Sequence, residues 1–332
     1  MVWSAFDYRA GADSPVQTAP PRQDSGMSLL SLLAVLLLEQ IRPLPYRRFV
    51  AAPLARLAAF LESRCNAGEQ RYGAVAWLIG VGGLVVGSGA IAAALAYLSP
   101  LLAWTLNVVV LYATMGFRHF SHYYTDIRLA LRMGEVGQAR QLLEDWRGTP
   151  LAGPAVENPS EIARLSIEQA LCASHRHVFG VLVCFLVLPG PCGAVLYRAS
   201  AAFADAWGQR GDAETAAFGS FAQRSFAIID WLPARLTAAT FAIVGNFGDA
   251  MYCWRTQADK SPDDGLAIVV ASGAGALGVR LGVSPAAVGD NAEAADDADV
   301  DFMESAVGLI WRALVTWMLL LLLLGLANLV GG

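Results

Sequence analysis

The apolar positions of this chain gather into long unbroken stretches, a pattern that predicts helices in a membrane. No charged residue occurs from Tyr72 to Phe117. That length suffices for two crossings at about 20 residues each, with Ser99-Pro100 as the break between them. Small residues crowd the first span (Gly80, Gly82, Gly83, Gly87, Gly89), where they permit close helix contact. A second run without carboxylates, lysine or arginine lies between Arg176 and Arg198, and Pro189-Gly190-Pro191 divides it near its middle. Irregular backbone at membrane depth is tolerated where protein buries it, so 177–197 reads either as a membrane crossing or as a re-entrant hairpin bent at the Pro-Gly-Pro. Residues 306–330 form a last span whose single charge, Arg312, can snorkel to the headgroups.

The segments between these runs are polar at helical spacing. Residues 1–26, with Pro15, Pro20 and Pro21, read as a flexible tail with no signal peptide. Residues 27–71 read as a short apolar helix, too short to cross, followed by an amphipathic one through Phe49, Leu54, Leu57, Phe60 and Leu61. After the 72–117 hairpin, 118–176 reads as a helical segment with a turn at Gly134 and a helix start at Asn158-Pro159. Residues 177–258 combine this crossing or hairpin with further amphipathic helix. Residues 259–304 carry ten acids against two bases and read as an acidic, Gly-rich loop. Residues 305–332 are the terminal span. Both flanks of the 72–117 hairpin are arginine-rich, with six arginines in 39–71 and seven in 118–176, which predicts a cytoplasmic position for both. Trp231, Tyr252 and Trp254 are candidate interfacial anchors.

Composition sharpens this picture. The 332 residues are 56% hydrophobic and 15% charged, against about 25% charged in soluble chains. The net charge of −5 gives no basic field, so nucleic acid is not an expected partner and the lipid bilayer is. The expected fold is all-α: a polytopic helical membrane protein with amphipathic cytoplasmic helices and a crossing or re-entrant hairpin at 177–197. The five cysteines form no CxxC pair and read as inert thiols. Two histidine pairs, His119 with His122 and His175 with His177, lack further ligands at metal spacing, so they read as packing or interfacial histidines and no metal site is expected.

Five segments in order then carry a resemblance: GEVGQAR at 134–140, GAVLYRA at 193–199, LPARLTA at 232–238, GNFGDAMYCWRTQA at 245–258 and GAGALGVRLG at 273–282. With them the chain resembles the CobD/CbiB family of cobalamin biosynthesis, which includes the AmpE membrane proteins. The opening MSLLSLLAVLLLEQ is similar to the AmpE start. The resemblance implies a multi-pass protein of the bacterial inner membrane. It also implies an activity, amide formation between adenosylcobyric acid and an aminopropanol-type side chain. That chemistry would use ATP and Mg2+ and a corrinoid substrate. The AmpE side implies instead a non-catalytic regulatory protein with a membrane or cell-wall partner protein, linked to cell-envelope or β-lactam sensing.

The chain departs from the family's acidic pattern. Gly148 replaces the aspartate of an Arg-Asp-Thr triplet, leaving Arg147 and Thr149 as a candidate phosphate corner. On the next helix Glu168 remains as the candidate catalytic carboxylate, while Cys172, Ala173 and Arg176 fill other polar positions. Ala201, Ala204, Phe226 and Ala227 likewise replace polar family residues, and Asp230 stands where the family has asparagine. The candidate ligand-binding residues are Tyr197, Arg198, Arg235, Gly275, Gly278 and Arg280. Arg235 is either an anion contact, through its fork of donors, or a partner of an acid such as Asp230. The glycines of 273–282 read as a flexible loop able to approach a nucleotide or a corrin edge. No Walker-type lysine follows them.

Overall fold

The structure, a computed structural model, describes residues 25–41, 46–66, 69–151, 158–208, 213–257, 265–279, 281 and 299–331. Most of the expected 1–26 tail, Arg280, and the acidic run within 282–298 lie outside them. The described residues build an all-α fold, as the run pattern predicts. Four helices are long and apolar enough to cross a membrane: Gln70–Leu98, Pro159–Val187, Ala217–Val244 and Val300–Ala327.

We label the helices in chain order. Helix α1 (Ser25–Ile41) is followed by a wide turn at Arg47–Ala51 and by α2 (Ala52–Cys65). Helices α3 (Gln70–Leu98) and α4 (Pro100–Thr114) form the first hairpin. Its turn is the predicted one. Pro100 takes the first helical position, where its missing N–H costs nothing, and Ser99 caps α4 by accepting from the Leu101 N–H at 3.3 Å. Helices α5 (Phe117–Arg132) and α6 (Val136–Arg147) follow, joined through Gly134 at φ +78°. Asn158 caps the next helix from Ser160 N at 3.1 Å, with Pro159 at its first position, so this start is also as read.

That next helix, α7 (Pro159–Val187), is the central one. It is enclosed along most of its length by α5, α8 (Cys192–Gly208), α9 (Ala213–Val244), α11 (Gly265–Leu277) and α12 (Val300–Gly331). Between α7 and α8 the chain reverses at Leu188–Pro191, at the predicted Pro-Gly-Pro. Gly190 there lies beside Ala92 and Asn107. Each is about seven residues from the α3–α4 turn, or roughly 10 Å at 1.5 Å per residue. The second hairpin therefore turns back short of the first hairpin's turn.

Close backbone approach holds this hairpin together. A Cβ on Gly193 would stand 1.9 Å from the Cys184 carbonyl oxygen. Small residues let helices meet this way where lipid tails are as apolar as side chains and packing drives association. Because the obstacle is backbone, neither side can yield by changing rotamer. Gly193→Val is thus expected to open the α7–α8 pair at a cost of about 3 kcal/mol. Thermal unfolding of the detergent-solubilised protein should show it; an unchanged transition would contradict the packing. Among the glycines expected to serve contact in α3, Gly80 does so against Phe203 and Leu61 and Gly89 against Cys192, whereas Gly82, Gly83 and Gly87 face open space.

One expected loop is a helix. Residues 265–277, read as part of an acidic 259–304 loop, form α11, apolar and largely buried. Gly275 faces Asp249 and Ala250 of α10 (Phe247–Gln257), where a Cβ would come within 2.3 Å of the Asp249 carbonyl oxygen. Gly278, at φ +72°, ends the helix with Gly278 N to Gly275 O at 3.2 Å and Val279 N to Ala274 O at 3.0 Å, the paired bonds of a left-handed glycine cap. These glycines serve packing and capping, so the flexible clamp expected of them is corrected.

Candidate functional site

Helix α7 carries two polar clusters, and both are buried. The first lies in its opening turns. Arg164 Nε donates to Glu161 Oε2 at 2.9 Å and its Nη2 to Glu161 Oε1 at 2.6 Å, while Nη1 donates to Glu168. Positions 161, 164 and 168 share one helix face by their i+3 and i+4 spacing. Glu168, the sequence candidate for catalysis, is thus one of two carboxylates clamped on one arginine.

The second cluster sits where α7 widens by one residue at His175–Phe179, a local bulge of a kind frequent at functional sites. His175 is fully buried. Its Nε2 lies 2.9 Å from Asp230 Oδ1 on α9 and its Nδ1 lies 2.9 Å from Thr237 Oγ1, two turns further along α9. Tyr197 of α8 donates to the same Asp230 oxygen at 2.8 Å. Three helices therefore meet through side chains distant in sequence. Two glycines make the room. A Cβ on Gly180 would lie 2.3 Å from the Tyr197 hydroxyl, and one on Gly265 would lie 2.8 Å from Asp230 Oδ2. Gly265 opens α11, so Asp230 also lies at a helix N-terminus, where a negative charge is favoured.

The hydrogen bonds admit two proton arrangements. Thr237 Oγ1 stands 2.9 Å from the Pro233 carbonyl. When the hydroxyl donates there, its oxygen accepts from His175 Nδ1–H; with Nε2–H donating to the carboxylate, the ring is then an imidazolium. When the hydroxyl turns to Nδ1, the ring is neutral. Both arrangements keep every heavy atom in place.

Beside it, Arg198 donates through Nε and Nη2 to the Thr114 carbonyl, at 3.0 and 2.7 Å, and through Nη2 to His177 Nδ1 at 3.0 Å. It lies over the Tyr46 ring at 5.0 Å. Thr114 ends α4, so the guanidinium sits where the helix dipole is negative. Arg176 pairs with Asp205 at 3.0 Å.

The other sequence candidates stand apart from these clusters. Arg235 does not pair with Asp230: its guanidinium lies 4.1 Å above the Trp231 ring and donates to the Trp231 carbonyl at 3.1 Å. Five positions along a helix turn a side chain about 140° away, which puts the two residues on different faces. Arg147 and Thr149 lie exposed in the turn after α6, closed by Gly148 at φ +72°. Nearby, Glu144 accepts from Leu151 N at 3.1 Å and from Arg140 Nε at 3.2 Å. The backbone N–H first, then Arg140, holds its carboxyl below the usual range. Trp231 and Tyr252 are exposed as expected of anchors, whereas Trp254 packs against Ala238 and Ile268. His122 pairs with Asp126 at 3.2 Å, and the His119 side chain lies outside the described residues. His175 and Thr237 were not among the sequence candidates for chemistry. Their only signal was a histidine just before an apolar run and a hydroxyl four residues after Pro233.

A magnesium ion needs several oxygen ligands. Among the described residues no three His, Cys, Asp or Glu side chains converge as a metal site would require. Glu161 and Glu168 face Arg164.

Fold and site together define a polytopic helical membrane protein whose central helix carries buried ionisable groups. The chain belongs to the CobD/CbiB family: the family model described as CobD/Cbib protein matches residues 32–319. It is 31% identical over 302 residues to "Cobalamin biosynthesis protein CobD" of Stutzerimonas stutzeri, covering 88% of this chain and 96% of that protein. A protein of the same name from Chromobacterium violaceum is 37% identical over 188 residues, 55% of this chain and 57% of that protein. One from Yersinia enterocolitica is 29% identical over 218 residues, 63% and 66%. No solved structure matches the chain.

Proposed function

We propose that this chain acts in cobalamin biosynthesis at the bacterial inner membrane, joining an aminopropanol-type amine to a carboxyl group of adenosylcobyric acid. The supporting observation is likeness along nearly the whole length of a relative named for that pathway, including the membrane hairpins and the family segments. ATP and Mg2+ are the co-reactants proposed with that chemistry. The chain's own contribution is positional and protonic. His175, with Asp230 and Thr237, holds one proton at an imidazole nitrogen, and Tyr197 fixes the carboxylate that faces it. Arg198 supplies a fixed positive charge beside them. The arginine-rich flanks support a cytoplasmic position for 39–71 and 118–176, and the reversal at 188–191 returns α8 to the side from which α7 entered.

A second reading, a non-catalytic AmpE-like membrane protein of the cell envelope, is favoured by one observation. Glu161 and Glu168 are engaged with Arg164, Asp205 with Arg176, and Asp230 with His175, and acidic family positions are occupied by Gly148, Cys172, Ala204 and Phe226. Complementation separates the two. A cobalamin-auxotrophic strain lacking its own synthase should grow when it expresses this chain. No growth, with the protein verified in the membrane, would favour the second reading.

A further inference from the structure

Between the wide turn at Arg47–Ala51, the start of α2, α3 and α8 lies a recess of about 230 Å³. Its walls are Phe49, Val50, Pro53, Leu54, Leu84 and Val195, and its polar lining comes from Thr114 and Arg198. Arg198 is 5% exposed, yet no carboxylate pairs with it among the described residues, and its Nη1 has no hydrogen-bond partner among them. A buried cation is costly unless a counter-charge answers it. The α4 C-terminus supplies only about half an elementary charge.

The missing partner has a recognisable chemistry. It carries a negative charge that the Nη1 donors can meet, as a phosphate oxygen does. It also has an apolar body, because the walls of the recess are mostly hydrocarbon. Location narrows it further. Thr114 stands about 22 Å along α4 from the Ser99 turn by helix rise, most of the way across a hydrocarbon core of about 30 Å. Arg198 therefore sits toward the headgroup layer opposite that turn. At the rim Phe49 is 60% exposed, and Val86 of α3 is exposed close by in sequence to Leu84. Arg56, exposed one turn after Pro53, adds a second cation on that side of α2. The volume holds about seven or eight groups of water size, enough for a phosphate and the first carbons attached to it.

We propose that this recess binds the phosphate of an anionic membrane phospholipid, seated on Arg198, with the acyl chains leaving past Phe49 and Leu84 into the bilayer. The lipid would neutralise the arginine and tie the α2 segment to the hairpins.

The test is native mass spectrometry of the full chain in detergent with dioleoyl phosphatidylglycerol, dioleoyl phosphatidylcholine or inorganic phosphate. Phosphatidylglycerol should be retained at least tenfold more tightly than phosphatidylcholine, and millimolar phosphate should not displace it. Arg198→Gln should weaken retention about tenfold. So should Leu84→Trp, which fills the recess and keeps the charge; it decides alone if the arginine variant does not fold. Equal retention of the two lipids, displacement by inorganic phosphate, or wild-type retention in folded Leu84→Trp would each overturn the proposal.

Discussion

Asp230→Ala is expected to lower the unfolding temperature of the detergent-solubilised protein by about 10 °C, the largest effect of any single substitution considered for this molecule. The carboxylate accepts from both His175 and Tyr197, and both are enclosed. Removing it leaves a ring nitrogen and a phenol with no acceptor where water cannot enter, a loss of about 3–5 kcal/mol for a broken buried pair. Hydrogen bonds between membrane helices often contribute less, near 0.6 kcal/mol, because the separated helices find other partners. Here the group is ionisable and joined to three helices at once, so the larger figure governs. Asp230→Asn keeps one acceptor and should cost about 1–2 kcal/mol. Thermal unfolding of the two variants side by side checks this. If alanine and asparagine behaved alike, the carboxylate would not be the centre of the cluster.

Arg164→Ala should be nearly as damaging, at about 3 kcal/mol, because it strands Glu161 and Glu168 on the same buried face. The informative partner is the triple variant Arg164→Met, Glu161→Gln, Glu168→Gln. Replacing a whole buried ion cluster by neutral groups of similar size is often tolerated, so its unfolding temperature should return close to that of the wild type. The same protein then asks a functional question. If it folds but no longer complements a cobalamin auxotroph, Glu168 does more than neutralise Arg164. Wild-type growth would assign the cluster to stability alone.

These two clusters also mark where the sequence was readable. The breaks at Ser99-Pro100, Pro189-Gly190-Pro191 and Asn158-Pro159 were legible because each rests on local chemistry: a cap, a proline that cannot continue a helix, a glycine at positive φ. The membrane class was legible because unbroken apolar runs leave few alternatives. Helix α11 was not. Glycines that let helices touch look the same in sequence as glycines of a loop, and the strongly acidic neighbourhood of 259–304 hid an apolar helix within it. Nor was the His175–Asp230–Tyr197 meeting legible, since it joins three helices across 22 to 55 residues. Closeness in sequence suggested Arg235 as the partner of Asp230, but helix geometry turns it away. The family segments drew attention to Tyr197, which joins the buried cluster, and to Arg198 beside it. They gave no hint that histidine would stand at its centre.

The proposed reaction can be followed directly. Membranes containing the folded chain should be supplied with adenosylcobyric acid, an aminopropanol-type amine, ATP and Mg2+, and the corrinoids followed by mass spectrometry. A new corrinoid heavier by the amine less one water should appear. Unchanged adenosylcobyric acid in membranes that hold the folded protein would contradict it.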